Sequence, residues 1–92
     1  MPKKRPVKSA TFNGRRYMID IDPDGVDGMC DQYACNERYL HIFTDLNTQK
    51  GLITTIHEVT HGDNWRLSED MVDRLSKDLG RFLWRLGYRI GE

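Results

Sequence analysis

The sequence predicts a single α+β domain in which a small antiparallel or mixed three-stranded sheet packs on two antiparallel helices. Three short segments in the first half alternate apolar and polar residues, as half-buried strands do. From residue 52 onward, apolar residues instead recur at spacings of three and four, as they do on amphipathic helices. Strands followed by helices are typical of α+β proteins, and 92 residues suffice for one domain only.

The first two strands are predicted at residues 10–12 and 15–21 and form a hairpin. Asn13 and Gly14 lie between them, and Asn-Gly is the strongest short hairpin signal. Residues 22–37 are rich in turn-forming and acidic residues. Their aspartates depart from the spacing of a calcium-binding loop, so we expect a solvated loop there.

The third strand is predicted at residues 38–44, immediately before the first helix. Leu40 and Ile42 lie on one face of this strand because successive side chains alternate across a sheet. The opposite face carries three rings: Tyr39, His41 and Phe43.

The two helices have clear start and stop signals. Asn47 or Thr48 is a suitable N-cap for the first helix, and Gly62 is suited to end it. The second helix is predicted over residues 68–86, with a serine N-cap, an acidic first turn and Gly87 after its last residue.

The first helix contains an H-E-x-x-H motif made of His57, Glu58 and His61. Residues four apart lie on one face of a helix, so both imidazoles can bind one tetrahedral metal ion. Glu58 lies about 100° further round the helix, beside the ion. A carboxylate there can accept a proton from a water whose pKa the ion lowers.

A zinc site with an open position needs a third protein ligand, for which we expect Glu69. This residue lies in the first turn of the second helix, and a short connection returns that turn to the end of the first helix. Asp63 and Asp70 are the competing ligands. The longer H-E-x-x-H-x-x-G-x-x-H motif is excluded, because Asn64 and Leu67 occupy its glycine and third histidine positions.

Asp73 is the expected hydrogen-bond partner of a ligating histidine. It follows Glu69 by four residues and therefore shares its helix face. From there its carboxylate can accept the outer ring N–H of a histidine and so select the tautomer that binds metal. The alternative is an ordinary solvated acid on a helix.

This set of residues resembles the gluzincin zinc metallopeptidases. The segments HEVTHGDNWRLSEDMV and FLWRLGYR are similar, more closely, to small minigluzincin-type proteins encoded by bacteriophages. The resemblance covers about residues 12–90. It implies a zinc ion bound by His57, His61 and Glu69, and Glu58 as the catalytic base. It also implies that the strand before the first helix binds substrate in extended form, and this strand contains Tyr39, His41 and Phe43.

The charge and hydropathy of the sequence argue against some classes of binding partner. Fourteen basic and fourteen acidic side chains give a net charge of zero, so no overall field favours nucleic acid or an anionic membrane. No apolar run reaches the length of a membrane span, and none follows the basic N-terminus as in a secretory signal. We therefore expect a cytoplasmic protein, in the host cell cytoplasm if a phage encodes it.

Residues 1–9 are predicted to be a flexible basic arm, and residues 10–92 the zincin-like domain. The arm is either a solubilising tail or a contact for phosphate groups. Cys30 and Cys35 lack the spacing of a zinc knuckle, so we expect two reduced thiols. The alternative is that one thiolate occupies the open position of the zinc.

The predicted function is zinc-dependent hydrolysis of a peptide or protein substrate. The tetrahedral intermediate needs an oxyanion partner, for which Tyr88 is the first candidate and Arg89, Tyr39 and His41 are others. The alternative is a catalytically weak or inactive module that zinc stabilises and that binds a host or phage macromolecule.

Overall fold

The computed structural model describes residues 7–21, 27–30 and 38–89, which form a four-stranded sheet and two helices. The elements in chain order are β1 (Ser9–Phe12), β2 (Arg15–Ile21), β3 (Asp27–Cys30), β4 (Tyr39–Phe43), α1 (Gln49–Asp63) and α2 (Glu69–Leu86). The predicted α+β class, with a mixed sheet and two helices, is confirmed.

The sheet has the order β1-β2-β4-β3. β1 and β2 form the predicted antiparallel hairpin, with Asn13 and Gly14 at positive φ in its turn. β2 and β4 run parallel, with Ile19 beside Leu40. The sheet therefore contains the three predicted strands and one strand more.

The additional strand is β3, which lies in the stretch predicted to be a solvated loop. It pairs antiparallel with β4 in a register that places Gly28 beside Ile42. The sequence of β3 is DGMC, which has neither alternation nor β-branched residues, so propensity gave no signal. The hydrogen bonds of β3 to β4 therefore stabilise this strand, because its own residues have little strand propensity. The remainder of the predicted loop, including Cys35, lies outside the described residues, as does the predicted basic arm up to residue 6.

The core lies between the sheet and α1. Tyr17, Leu40 and Ile42 form its buried centre, and Val59 of α1 packs against them. Among the elements that the structure describes, every extensive contact of α2 is with α1, so the layers follow in the order sheet, α1, α2. Within the described ranges, neither helix is long and apolar enough to cross a bilayer.

Side-chain and backbone caps define both helices close to the predicted bounds. Thr48 Oγ1 accepts a hydrogen bond from Gly51 N (3.0 Å) at the start of α1. Ser68 Oγ accepts from Met71 N (3.1 Å) at the start of α2. Gly87 ends α2 in the left-handed conformation, at a φ of 100°.

Gly80 allows α2 to approach α1 closely. It is buried, and a Cβ placed on it would overlap Ile53 Cγ1 and lie 3.1 Å from Ile53 Cα. That space is too small for a methyl group unless the helix backbones separate. The separation of the two helices, and with it the position of the start of α2, therefore depends on this glycine.

We expect Gly80→Ala to lower the free energy of unfolding by about 1–3 kcal/mol through overpacking, although alanine stabilises an isolated helix by about 1 kcal/mol relative to glycine. Urea denaturation measures the change. The double variant Gly80→Ala/Ile53→Ala should lose less stability than the sum of the losses in the two single variants, because the smaller side chain at position 53 makes room for the new methyl group. A Gly80→Ala protein that is more stable than wild type would show that the helices are not in close contact here.

Candidate metal centre

Three side chains converge where the end of α1 meets the start of α2. His57 Nε2 lies 2.8 Å from Glu69 Oε1, and His61 Nε2 lies 3.0 Å from Glu69 Oε2. The two imidazole centroids are 4.9 Å apart. Of all the described histidine, cysteine, aspartate and glutamate side chains, these three form the one group close enough to share an ion. The predicted ligand set His57, His61 and Glu69 is thus brought together.

The connection between the helices places Glu69 at this point. Asn64 ends α1, and its side-chain oxygen accepts a hydrogen bond from Arg66 N (3.1 Å) while its carbonyl accepts from Leu67 N (3.2 Å). Ser68 then caps α2, so Glu69 becomes its first residue. A side chain in the first turn of α2 can reach back over the last two turns of α1 because the helices are antiparallel neighbours.

The sheet holds α1 from the opposite direction. Tyr17, fully buried in β2, donates its hydroxyl proton to the Gly62 carbonyl (3.2 Å). Asn13 Nδ2 donates to the Asp63 carbonyl (2.9 Å). These contacts satisfy two carbonyls at the helix end, where no intrahelical donor is available. The residues that follow His61 are therefore anchored to the hairpin.

The burial of the three ligands suits a site that opens to solvent. The side chains of His57 and His61 are 18% and 13% exposed, whereas that of Glu69 is 70% exposed. Trp65 lies beside His61, with ring centroids 5.6 Å apart, and so walls one side of the group. Such a group has two largely fixed ligands and one that solvent reaches.

The donor set and distances fit a zinc ion. Zinc binds imidazole nitrogen and carboxylate oxygen at about 2.0–2.2 Å, so two ligand atoms on a tetrahedral ion lie about 3.4 Å apart. The two N···O separations, 2.8 Å and 3.0 Å, are slightly shorter than this. The exposed first turn of α2 leaves the Glu69 side chain free to adjust. Asp63 and Asp70, the competing ligands, are not members of the group.

Ser76 is a site residue that the sequence analysis missed. It is fully buried on α2, and its Oγ lies 3.4 Å from His57 Nδ1. A hydroxyl has one proton, which Ser76 donates to the Asp73 carbonyl (3.0 Å). Towards His57 the oxygen can therefore only accept, which favours the tautomer with the proton on Nδ1. The separation of 3.4 Å is long for a hydrogen bond, so this contact is weak and mainly orients the His57 ring.

That tautomer is the one a metal requires. With the proton on Nδ1, the lone pair of His57 Nε2 faces Glu69 Oε1 at 2.8 Å. Two acceptors at this distance repel unless a cation lies between them, either a second proton on the ring or a metal ion. A neutral serine on α2 therefore does what was predicted for an acid. No short sequence signal marks it, because a serine inside an amphipathic helix is usually solvated.

Asp73, predicted to hold a ligating histidine, pairs with Lys77 instead. Lys77 Nζ lies 2.9 Å from Asp73 Oδ2, one helical turn along α2. The hydrogen bond from Lys77 lowers the pKa of Asp73, slight desolvation opposes the shift, and the charges of Lys77 and His57 add to the lowering. The main-chain carbonyl of Asp73, and not its carboxylate, takes part in the contact to His57 through Ser76.

Glu58, the proton acceptor that the sequence predicts, is buried next to His57 on α1. It is the buried acid of α1, 6% exposed, and it lines a cleft of about 580 Å³ together with His57. The cleft runs between the helices away from the metal ligands, and Asp73, Lys77 and Arg81 form its α2 wall. The α1 wall ends at Gln49 and Lys50. A bound molecule in this cleft would contact His57 and Glu58 at one end.

The predicted substrate strand does not reach the site. Leu40 and Ile42 face α1, so the alternate residues of β4 point to the other side of the sheet. Both main-chain edges of β4 are paired, with β2 and with β3, so a peptide cannot extend the sheet at this strand. The rings on the far face pack on each other in the order Tyr39, His41, Phe43.

His41 is satisfied on that far face. Its Nδ1 lies 3.1 Å from Asp20 Oδ2, and its ring stacks on Tyr39 with centroids 5.7 Å apart. These three rings therefore lie on the face of the sheet opposite α1 and its histidines, and their contact with substrate stays a prediction. The strand before the motif helix, β4, is not an edge strand, because β3 pairs with the edge that a three-stranded sheet would have left unpaired.

Tyr88 is also remote from the metal ligands. It follows the C-terminal end of α2, whereas Glu69 begins that helix, and 18 residues of α-helix span about 27 Å. Tyr88 lines a different cavity with Trp84 and Arg89, whose guanidinium lies 3.3 Å from the Trp84 ring centroid. Tyr88 and Arg89 therefore lie at the end of α2 away from Glu69, and the structure gives no support for either as the oxyanion partner.

Comparison with known proteins gave no match: no family model, no curated protein and no solved structure corresponds to the chain. The assignment of chemistry to this site rests on its donor atoms and their geometry.

We expect Ser76→Ala to weaken zinc binding by up to about tenfold, the low end of the usual cost of losing a partner of a metal-binding histidine, because this contact is long (3.4 Å). Titration against a competing chelator measures the affinity, and circular dichroism checks the fold. The matched control is Thr55→Val, which removes a hydroxyl whose one hydrogen bond within the described ranges is to the Gly51 carbonyl of its own helix. Equal affinities in Ser76→Ala and Thr55→Val would contradict the role of Ser76.

We expect Lys77→Met to raise the pKa of Asp73 towards its usual value. A pH titration observed by carboxyl ¹³C NMR measures this pKa. Because the folded-state pKa of Asp73 is lowered, its carboxylate stabilises the fold above the unfolded pKa, and this stabilisation is lost as the pH falls through the folded value. Lys77→Met should reduce that acid-side loss. Arg74→Met, which removes only the weaker pair with Asp78 (3.8 Å), is the control. An unchanged Asp73 titration in Lys77→Met would refute the pairing.

Proposed function

We propose that this protein is a zinc-dependent peptide hydrolase, with zinc bound by His57, His61 and Glu69 and with Glu58 as general base. The observation that carries the proposal is that each imidazole nitrogen lies within 3.0 Å of one oxygen of the Glu69 carboxylate, with one ligand atom from each of the three residues within 4.8 Å of the others. Three protein ligands leave one vertex of a tetrahedral site open, as catalytic zinc sites do, whereas structural sites are usually closed by four.

Each residue has one task in this proposal. A zinc ion held by His57, His61 and Glu69 would supply Lewis-acid polarisation of the scissile carbonyl and would lower the pKa of the attacking water. Glu58 accepts a proton from that water and passes it to the leaving amine. Ser76 holds His57 in the metal-binding tautomer. Burial of Glu58 beside an open cleft supports its role, since a carboxylate shielded from bulk water keeps its proton transfers within the site.

The cleft between the helices is the proposed path of the substrate. Lys77 is paired with Asp73, but among the described residues Lys50 and Arg81 form no ion pair or side-chain hydrogen bond. Both cations are exposed at the cleft. A peptide bound there would therefore be recognised by side chains, with acidic groups favoured at the end away from His57.

The second candidate is a catalytically weak or inactive module that zinc stabilises and that binds a host or phage macromolecule. Two observations favour it. Both edges of β4 are paired, so the strand beside the motif helix offers no edge to a substrate. A long helix, α2, also packs on the rest of the described chain through one face only. The resemblance of the motif region to small phage-encoded gluzincin-like proteins is compatible with either candidate. For both candidates we propose action in the host cell cytoplasm.

We expect Glu58→Gln to abolish zinc-dependent cleavage of a peptide library, with a fall in kcat/KM of at least about 10²-fold, because glutamine cannot accept the proton. Zinc stoichiometry and melting temperature should change little. His57→Ala, assayed beside it, should lose both zinc and activity.

The control is Glu69→Gln, which removes a ligand charge but leaves the proposed base in place. The hydrolase proposal fails if the zinc-loaded wild type cleaves nothing in the library, or if Glu58→Gln cleaves as well as wild type. Partner binding that persists in Glu58→Gln and is lost in His57→Ala would support the module.

A further inference from the structure

The outer face of α2 carries an apolar row that the described chain leaves largely exposed, with Leu75 alone partly buried. We name it the α2 seam. Outside α2's buried face (Val72, Ser76 and Gly80), large apolar residues recur at spacings of three and four. The seam consists of Met71, Leu75, Leu79, Phe82 and Leu86.

The exposure of the α2 seam is large for a short helix. Met71 is 45% exposed, Leu79 41%, Phe82 50% and Leu86 59%. A monomeric protein exposes single apolar residues commonly, but a row of five along one helix face marks an interaction surface. From Leu75 onward the spacing is four, three, four, the alternation of the contact positions in a two-helix coiled coil.

We propose that the α2 seam is the interface of a homodimer in which two copies of α2 pack antiparallel. In this arrangement Leu75 of one copy packs on Leu86 of the other, and Leu79 packs on Phe82. Each layer thus contains two large apolar side chains. The pairing is isologous, so the same surface serves both copies and the assembly closes at two.

Charge at the border of the α2 seam selects this partner and this direction. Asp78 and Arg85 flank the seam on its solvent side, seven residues apart, and so occupy equivalent positions. Antiparallel packing brings equivalent flanking positions of two helices together, which places Asp78 of each copy beside Arg85 of the other. Parallel packing would instead place them opposite the other flank, Ser76 and Leu83, where there is no charge to pair.

The dimer leaves the proposed catalytic cleft open. The cleft residues of α2 are Asp73, Lys77 and Arg81, and their mean direction is about 160° round the helix from that of the α2 seam. A second copy on the seam therefore lies on the side of α2 away from the cleft. Self-association and metal binding use different faces, and failure of one leaves the other standing.

The size of the α2 seam implies a reversible dimer. Four half-exposed side chains of roughly 180 Å² each offer about 350 Å² per copy, or about 700 Å² for two. Flanking side chains add to this, but the total stays near or below the ~1,200 Å² at the low end of stable interfaces. We therefore expect a weak, reversible dimer that forms at high protein concentration.

The first test is sedimentation velocity of the full chain from 10 µM to 1 mM, with and without zinc. Wild type should pass from monomer to dimer across this range, and Phe82→Glu should stay monomeric throughout. Met18→Glu is the matched control, since Met18 is also an exposed large apolar residue (38%) but lies on β2. It should dimerise like wild type.

The second test reverses the border charges. Asp78→Arg and Arg85→Asp should each weaken dimerisation about tenfold or more, and the double variant should restore it. Circular dichroism of every variant checks that α2 is intact. The proposal would be overturned by a wild type that remains monomeric at 1 mM. That result is expected if another segment of the chain or a different protein covers the α2 seam. A double variant that stays as weak as the single ones would also overturn the proposal.

Discussion

The structure depends on one contact, the carboxylate of Glu69 lying against the ring nitrogens of both His57 and His61. That contact joins the first residue of α2 to the last two turns of α1. Apart from it and the Ser76–His57 contact, the described residues hold α2 to the domain only by packing on α1, because none of the described strands makes extensive contact with this helix. An ion shared by the three side chains would fasten the outer layer to the inner ones, which matters in a chain of 92 residues with a small core.

Several features upstream and downstream serve this contact. Tyr17 and Asn13 hold the end of α1 against the hairpin, and the Asn64 turn with the Ser68 cap sets which residue begins α2. Gly80 then allows the helices to approach so closely that Ser76 meets His57. Loss of any one of them would move a ligand without touching the metal site directly. The binding geometry is therefore a property of the whole helix pair.

The sequence predicted what local chemistry controls. Apolar spacing, caps and the terminal glycine placed α2 to within one residue, and H-E-x-x-H followed by a first-turn glutamate identified the three side chains that converge and could hold an ion. What it could not predict depends on tertiary pairing. β3 has no intrinsic strand signal and exists through β4, which in turn removes the edge expected for substrate. Ser76 acts through a contact between helices, and Tyr88 is remote because α2 is straight and long.

Two surfaces of α2 have separate roles in this account, since one faces the cleft and the other carries the α2 seam. The most direct test concerns the metal centre. X-ray absorption of the zinc-loaded protein should show imidazole scattering from two histidines and oxygen or nitrogen ligands at about 2.0–2.2 Å, with no sulfur. A sulfur shell at about 2.3 Å, which would bring Cys30 or Cys35 to the ion, or scattering from a single imidazole, would contradict it.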